Sequence, residues 1–384
     1  MRNREEIRLQ KIVATVCATI FACFSFFFVA IYQSPLIELV YDKYATGKLN
    51  YNNYIVGGII AAVLTLLALW LNRFTKFQRE WTATAYLPSA LLLAFFTDID
   101  NSLYTKVYNF LPWIITILVV IAIYLFLAFV LKRVLFEKIK NPAFTASRII
   151  WRNLVLLVLI FCMTGTLSNG EENFKREALI SSLYKKGDVE GAMNVGKLSL
   201  QASPELTSHR AYILAKENLL GEYLFEYPQL YGASVLVPQK QQVSPLVPDS
   251  VFMLLGVEPI DGEGSVAVIK RALYVDSANV HASEYYLSAL LLDKRLPEFA
   301  IALKDFYPNF EKLPKHYCEA LLLYAHIEMD NNILKQLDGY QEFVERYSDF
   351  VVTESKYDDE YIRGNYIRKK FSDTYWWYFL YGNI

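Results

Sequence analysis

The sequence predicts an all-α protein in two parts: a five-helix transmembrane bundle, then an α-solenoid of stacked helix pairs. Three observations carry this. Five long apolar runs fill residues 1–170. After Gly170 the pattern changes to amphipathic helix pairs. The charge divides at the same place. The 384 residues are 54% hydrophobic and 20% charged, with a formal net charge of −1. Yet residues 1–170 hold 16 Lys and Arg against 8 Asp and Glu, while residues 171–384 hold 22 against 31. A basic membrane half is ordinary, because Lys and Arg collect in cytoplasmic loops. The acidic half argues against nucleic acid as a partner.

The predicted spans are residues 12–32, 54–71, 81–97, 111–131 and 149–167. Each is judged against a hydrocarbon core of about 30 Å. Lys11 opens the first after a charged start containing Arg2, Arg4, Glu5, Glu6 and Arg8. That run is full length and is followed by further spans, so it reads as an uncleaved helix rather than a signal peptide. Gly57 and Gly58 in the second offer close approach to a neighbouring helix. The third is the weakest, short and broken by Pro88. Pro112 stands near the start of the fourth, where a helix tolerates it. The fifth belongs to Ile149–Gly170, which joins the two halves and decides on which side of the membrane the second half works.

The loops assign an orientation. Arg73, Lys76 and Arg79, and then Lys132, Arg133, Lys138, Lys140 and Arg148, fall on the side of the basic N-terminus. The alternate loops hold only Lys43, Lys48 and Lys106. The positive-inside rule therefore puts the N-terminus in the cytoplasm. Five spans put residues 171–384 outside, in the periplasm of a Gram-negative cell. The expected location is a bacterial inner membrane.

In the second half, Asn173–Lys185 and Val189–Gln201 read as two amphipathic helices around the turn Lys186-Gly187-Asp188. Ala192 follows the glycine and Pro204 closes the pair. Gly221-Glu222-Tyr223 lies one period later, with Ala215 in the preceding helix. This resembles the tetratricopeptide (TPR) repeat, a helix–turn–helix of about 34 residues. The resemblance implies a turn at the glycine and a small residue where the helices pack. The second unit departs from it, with Glu226 in the small-residue slot. The repeats are assigned to 171–347, with an irregular excursion at 231–249. Further helical pattern lies at Ser250–Leu255 and Ser265–Tyr274. Two more pairs fit, His281–Leu292 with Pro297–Phe306, carrying Ala300, and His316–Met329 with Asn332–Tyr347. Residues 348–384 are read as an aromatic capping segment, where Tyr375, Trp376, Trp377 and Tyr378 close the last face of the solenoid, lie at the membrane surface or bind a ligand by aromatic stacking. The layout also resembles bacterial multi-pass membrane proteins of unknown function that carry a C-terminal TPR-like domain.

Chemistry is sparse. Cys17, Cys23 and Cys162 lie in apolar runs, and Cys318 is alone in the second half and expected to be buried, so no disulfide framework is predicted. His316 and Glu319 share a helix face near Cys318, but no metal-binding spacing is present and no metal or cofactor is expected. Gly262-Glu263-Gly264 lacks the strand–loop–helix setting of a phosphate site. The catalytic alternative rests on carboxylates at the predicted outer face: Glu38 and Asp42, then Asp98 and Asp100. Asp98-Ile99-Asp100 resembles the short DxD motif of sugar-nucleotide enzymes.

The favoured function is an anchored scaffold that holds a protein or peptide in the groove of the helical repeats, with the lipid bilayer as its other partner. No catalytic residue is assigned in that reading. The alternative is a multi-pass, glycosyltransferase-like enzyme acting on a lipid-linked sugar at the outer leaflet. The sequence sets no oligomeric state.

Overall fold

A computed structural model describes residues 2–45, 51–75, 79–100, 110–134, 146–197, 199–238, 250–258, 260–308 and 310–382. Among these residues the chain is helical, with no strand. It divides into two compact units, Met1–Ser182 and Leu183–Ile384. The division falls later than the 170/171 boundary expected from charge, inside a helix.

The first unit contains α1 (Arg2–Phe27), which continues as a π-helical turn over Phe28–Tyr32. Next come α2 (Ser34–Ala45) and α3 (Asn53–Thr75). A 3₁₀ segment at Arg79–Tyr86, kinked at Trp81, leads into α4 (Leu87–Thr97). The unit goes on with α5 (Phe110–Val134), α6 (Ala146–Leu167) and most of α7 (Glu172–Lys185).

Helical period sorts each long helix into two faces. On α3, Gly57, Ala61, Leu64, Ala68 and Leu71 form a buried seam. Ile55, Ile59, Val63, Leu66, Trp70 and Phe74 stand exposed on the other side. Small residues on the seam let backbones approach, as membrane helices require in the absence of a hydrophobic drive between them. A Cβ on Gly57 would lie 2.8 Å from Ala30 Cβ, whereas one on Gly58 would meet nothing within 4 Å. The π turn also redirects the Ala30 carbonyl, which accepts a hydrogen bond from Asn53 Nδ2 at 2.9 Å.

Three described helical stretches are long and apolar enough to cross a membrane: Lys11–Tyr32, Asn53–Thr75 and Ser147–Leu167. Five were expected. Trp81–Thr97 is apolar but shorter, and α5 (Phe110–Val134) is apolar over Ile114–Val130, the stretch whose side chains are described. In the first of these the 3₁₀ break divides the run. The break is held from inside the unit. Asn153 of α6 accepts the Ala83 N–H at 2.7 Å and donates to the Ile149 carbonyl at 2.9 Å. Ser89 donates to the Leu64 carbonyl of α3 at 2.9 Å. Irregular backbone away from water needs protein partners, and Ala83, Ala85, Tyr86, Ala90 and Leu93 are buried.

The second unit contains α8 (Val189–Asn194), α9 (Pro204–Lys216), α10 (Leu220–Tyr223), α11 (Ser250–Leu255) and α12 (Ser265–Val275). It continues with α13 (Val280–Leu292), α14 (Leu296–Phe306), α15 (Lys315–Ile327) and α16 (Asn331–Gln336). Last come α17 (Gln341–Ser355), α18 (Glu360–Phe371) and α19 (Tyr375–Tyr381). The helix expected over Val189–Gln201 stops at Asn194, where Gly196 takes a left-handed φ of 65°. The one expected over Asn332–Tyr347 breaks into α16, a 3₁₀ turn at Asp338–Tyr340 and α17. The expected boundary between residues 347 and 348 therefore falls within α17. Of the 231–249 excursion, Gly232–Val235 is a 3₁₀ turn, and residues 239–249 lie outside the described residues.

In a solenoid each repeat touches only its neighbours. Here α10 packs on both α13 and α15, and α19 returns to α15 and α18. The pairs close on one another rather than stacking in a single file.

Candidate functional site

The same turn recurs in the second unit. Gly187, Asn218, Lys294 and Met329 each take a left-handed φ, of 80°, 56°, 57° and 54°. Each is the second residue beyond the end of a helix. The next residue's N–H reaches back to a carbonyl in the helix's last turn: Asp188 to Leu183, Leu219 to Leu214, Arg295 to Leu290 and Asp330 to Ala325. This is the Schellman arrangement. That same next residue is the N-cap of the following helix in all four cases. Glycine supplies the conformation cheaply only at Gly187.

The repeat residues distribute as follows. Gly187 is in the first turn, and Ala192 is buried in α8. Pro204 does not close a pair but opens α9, after the Ser203 side chain has capped it by accepting the Leu206 N–H. Gly221 is not the turn glycine of its pair, since Asn218 holds that place. It lies inside α10, where a Cβ would sit 2.8 Å from Pro314 Cβ and 2.9 Å from Tyr317 Cζ, so it is the close approach of α10 to α15. Ala300 is buried in α14.

A buried polar knot ties three segments at α15. His316 and Glu319 are both fully buried, with Nδ1 and Oε2 at 2.9 Å. His316 Nε2 accepts the Phe225 N–H at 3.2 Å, which leaves the proton of a neutral ring on Nδ1, donating to Glu319. Glu319 Oε2 also accepts the Tyr375 N–H at 2.8 Å, and the Glu319 carbonyl accepts from Trp376 Nε1 at 2.7 Å. Both ring nitrogens are occupied within the protein. Burial first, and then Glu319, pushes the Cys318 thiol far up, so it stays protonated.

The aromatic segment is built into this knot. Tyr375, Trp376 and Tyr378 are buried, and Trp377 is half-buried. Tyr375 and Tyr378 donate to the carbonyls of Leu291 and Leu292 at the end of α13. Phe225 packs against His316, Tyr375 and Tyr378 with ring centroids about 5 Å apart. The cleft between α13 and α15 is thus filled by the chain itself. Beside it runs an alternating ion chain: Lys197 to Glu226 at 2.5 Å, Glu226 to Lys315 at 3.0 Å, Lys315 to Asp373 at 3.0 Å and Asp373 to Arg346 at 2.7 Å. Burial pushes the Glu226 carboxyl up, but Lys197 and Lys315 outweigh it and hold it below its usual range.

The carboxylates of the catalytic alternative lie in the first unit and separate in character. Glu38 is buried and accepts from Ser182 Oγ at 2.7 Å. Asp42, Asp98 and Asp100 are exposed. Between the last two, Ile99 is buried and its carbonyl accepts from Asn169 Nδ2. Asn169 also accepts the Glu171 N–H at 2.6 Å through its side chain and Gln33 Nε2 at 3.4 Å through its carbonyl. Partial desolvation beside its apolar neighbours, then Asp100, raises the exposed Asp98 carboxyl above the usual range. Asp98 edges a cavity of about 250 Å³ with Leu91, Phe95, Thr116 and Leu167. Lys175 is buried, with Nζ 3.9 Å from the centre of the Tyr32 ring. No group of His, Cys, Asp and Glu able to hold a metal ion occurs among the described residues.

Hydropathy missed Asn169, Gln33 and Lys175 because nothing local marks them as buried. The His316–Glu319 spacing was visible, but its partners Phe225 and Tyr375 lie 91 and 56 residues away from the atoms they bond.

A family model described as a family of unknown function, DUF6057, matches residues 264–382. The match opens at Gly264, the N-cap of α12, and closes at Gly382, the C-cap of α19. It therefore contains the α15 knot and the aromatic helix but not Phe225. No curated protein and no solved structure matches the chain.

Proposed function

We propose that this protein is a membrane-anchored scaffold that holds a protein or peptide partner on its TPR-like helix pairs. The observation that carries the reading is an exposed apolar corner of the second unit. Tyr274 is 92% exposed and Met253 80% exposed, and Val275 and Val280 stand out beside Tyr274 across the α12–α13 turn. Asn279 Nδ2 bonds the Leu254 carbonyl at 3.1 Å, which brings the end of α11 to the same corner. Clustered exposed apolar residues mark interaction surfaces. The four-fold recurrence of the turn at Gly187, Asn218, Lys294 and Met329 supports the repeat resemblance. With α19 between α13 and α15, the partner is held on this corner rather than in that cleft. The Lys and Arg distribution supports five spans in a bacterial inner membrane, with the N-terminus cytoplasmic and the helix pairs extracytoplasmic.

A photo-crosslinking amino acid at Tyr274 tests this in native membranes, with Lys304 as the exposed polar control. The expected result is one discrete crosslinked polypeptide from Tyr274, none from Lys304, and loss of the product with Met253→Asp and Val280→Asp. Equal or diffuse labelling from both positions overturns the reading.

One observation favours the enzyme alternative: the raised carboxyl of Asp98 at the edge of a cavity suits a proton-transfer group. Asp98→Asn with Asp100→Asn, at matched membrane levels in a deletion strain, separates the two. The scaffold predicts full complementation, and loss of function favours the enzyme.

A further inference from the structure

The first unit holds a second crevice, of about 350 Å³, between α2, α3 and α4. Val29 of the π turn forms part of its wall, with Ile37 and Val40 of α2, Ile60 of α3, and Leu93 and Phe96 of α4. One polar side chain lines it, Thr97, and its hydroxyl is spent on the Leu93 carbonyl at 2.8 Å. The space therefore offers water no partner.

Its mouth lies along Ile59 and Val63, which belong to the exposed apolar stripe of α3. That helix is long and apolar enough to cross a membrane. The medium at the mouth is then hydrocarbon rather than water. Contacts beside the space fix two of its walls. Gly57 against Ala30, and Asn53 on the Ala30 carbonyl, hold α3 to the π turn. Ser89 on the Leu64 carbonyl sets the distance of α4 from α3. An unfilled space forfeits the dispersion contacts of its lining, and a chain of methylenes restores them. The volume falls within the range of ligand pockets, about 300–1,000 Å³.

We propose that this crevice is a binding site for one acyl chain of a bilayer phospholipid, held as a specific ligand and exchanging more slowly than the lipid around the unit. The site is independent of the scaffold reading, which concerns the second unit.

The test uses the full-length protein in detergent micelles, with a rising mole fraction of phosphatidylethanolamine carrying a diazirine in one acyl chain. Photolysis is followed by mass-spectrometric mapping. Labelling of peptides containing Ile37, Val40 and Phe96 is expected to saturate and to exceed that at the outward residues Phe126 and Val158 about tenfold, a preference of about 1.4 kcal/mol. Unlabelled phosphatidylethanolamine competes it away. Val40→Trp and Ile60→Trp, which fill the space, bring it down to the level at Phe126, while Val158→Trp leaves it unchanged. If the filling variants do not assemble, the wild-type titration decides alone. Labelling that rises linearly and equals that at Phe126 and Val158 means ordinary surrounding lipid only, and overturns the proposal.

Discussion

His316 donates through Nδ1 to Glu319 while its Nε2 accepts the Phe225 N–H, so one neutral ring joins α15 to the segment after α10. Glu319 then reaches the Tyr375 N–H of α19 through the same oxygen. His316→Ala strands the Phe225 N–H and leaves the buried Glu319 carboxylate with the Tyr375 N–H alone, and is expected to cost about 3 kcal/mol. Glu319→Gln keeps an acceptor in the Oε2 position and is expected to cost far less than Glu319→Leu. Thermal melts of the full-length chain give the order. Equal effects of Gln and Leu at position 319 would show that the hydrogen bonds hold nothing together.

Two adjacent glycines give a controlled comparison in α3. Gly57→Val places side-chain atoms against Ala30 and is expected to destabilise the unit by about 1–3 kcal/mol. Gly58→Val, with open space around it, is expected to change stability by within about 0.5 kcal/mol. Thermal melts in one detergent decide, and indistinguishable variants would refute the close contact at Ala30.

Glu284 supplies a pH dependence. Burial pushes its carboxyl from an ordinary 4.5 up to about 7, and its Oε2 has no hydrogen-bond partner among the described residues. Between those values the folded chain binds the extra proton, so stability falls as pH rises. The full effect, about 3 kcal/mol, is present above pH 7. Glu284→Gln stays neutral and should match wild type near pH 4 while exceeding it in stability at pH 8. Parallel stability–pH curves for the two proteins would contradict the burial penalty.

Orientation is testable without purification. Under the proposed five-span topology, a reporter active only in the cytoplasm and fused after Ile384 gives no signal. The same reporter fused before Met1 is active. Activity at both ends would mean an even number of crossings, and Trp81–Thr97, the segment that breaks into 3₁₀, would be the first to doubt.

Much of the helical plan was legible from local pattern. Ser250–Leu255 was located exactly as it occurs, and the helices expected at Asn173–Lys185 and Ser265–Tyr274 differ from the observed ones by a residue. Each is bounded by its own end signals, with Gly187, Gly256 and Asp276 after the three helices. The early stop at Asn194 escaped because Gly196, rather than Pro204, ends the helix. Glu38 was read as an outer-loop acid from its position after an apolar run. It lies buried in α2 because Ser182, 144 residues away, donates to it. The left-handed residues Asn218, Lys294 and Met329 carried no glycine to announce them. Tertiary partners decide such positions, and one chain's local pattern does not contain them.

The hydrogen bond from Ala83 to Asn153 spans 70 residues, and that separation has a consequence for biosynthesis. The 3₁₀ segment leaves the ribosome well before its partner exists. Until α6 has been made, the amide of Ala83 has no protein acceptor from that helix and gains by remaining near water or lipid headgroups. The segment is therefore expected to take its final place late, once α6 has been made. A chain truncated ahead of Asn153 would lack this anchor for its middle segment.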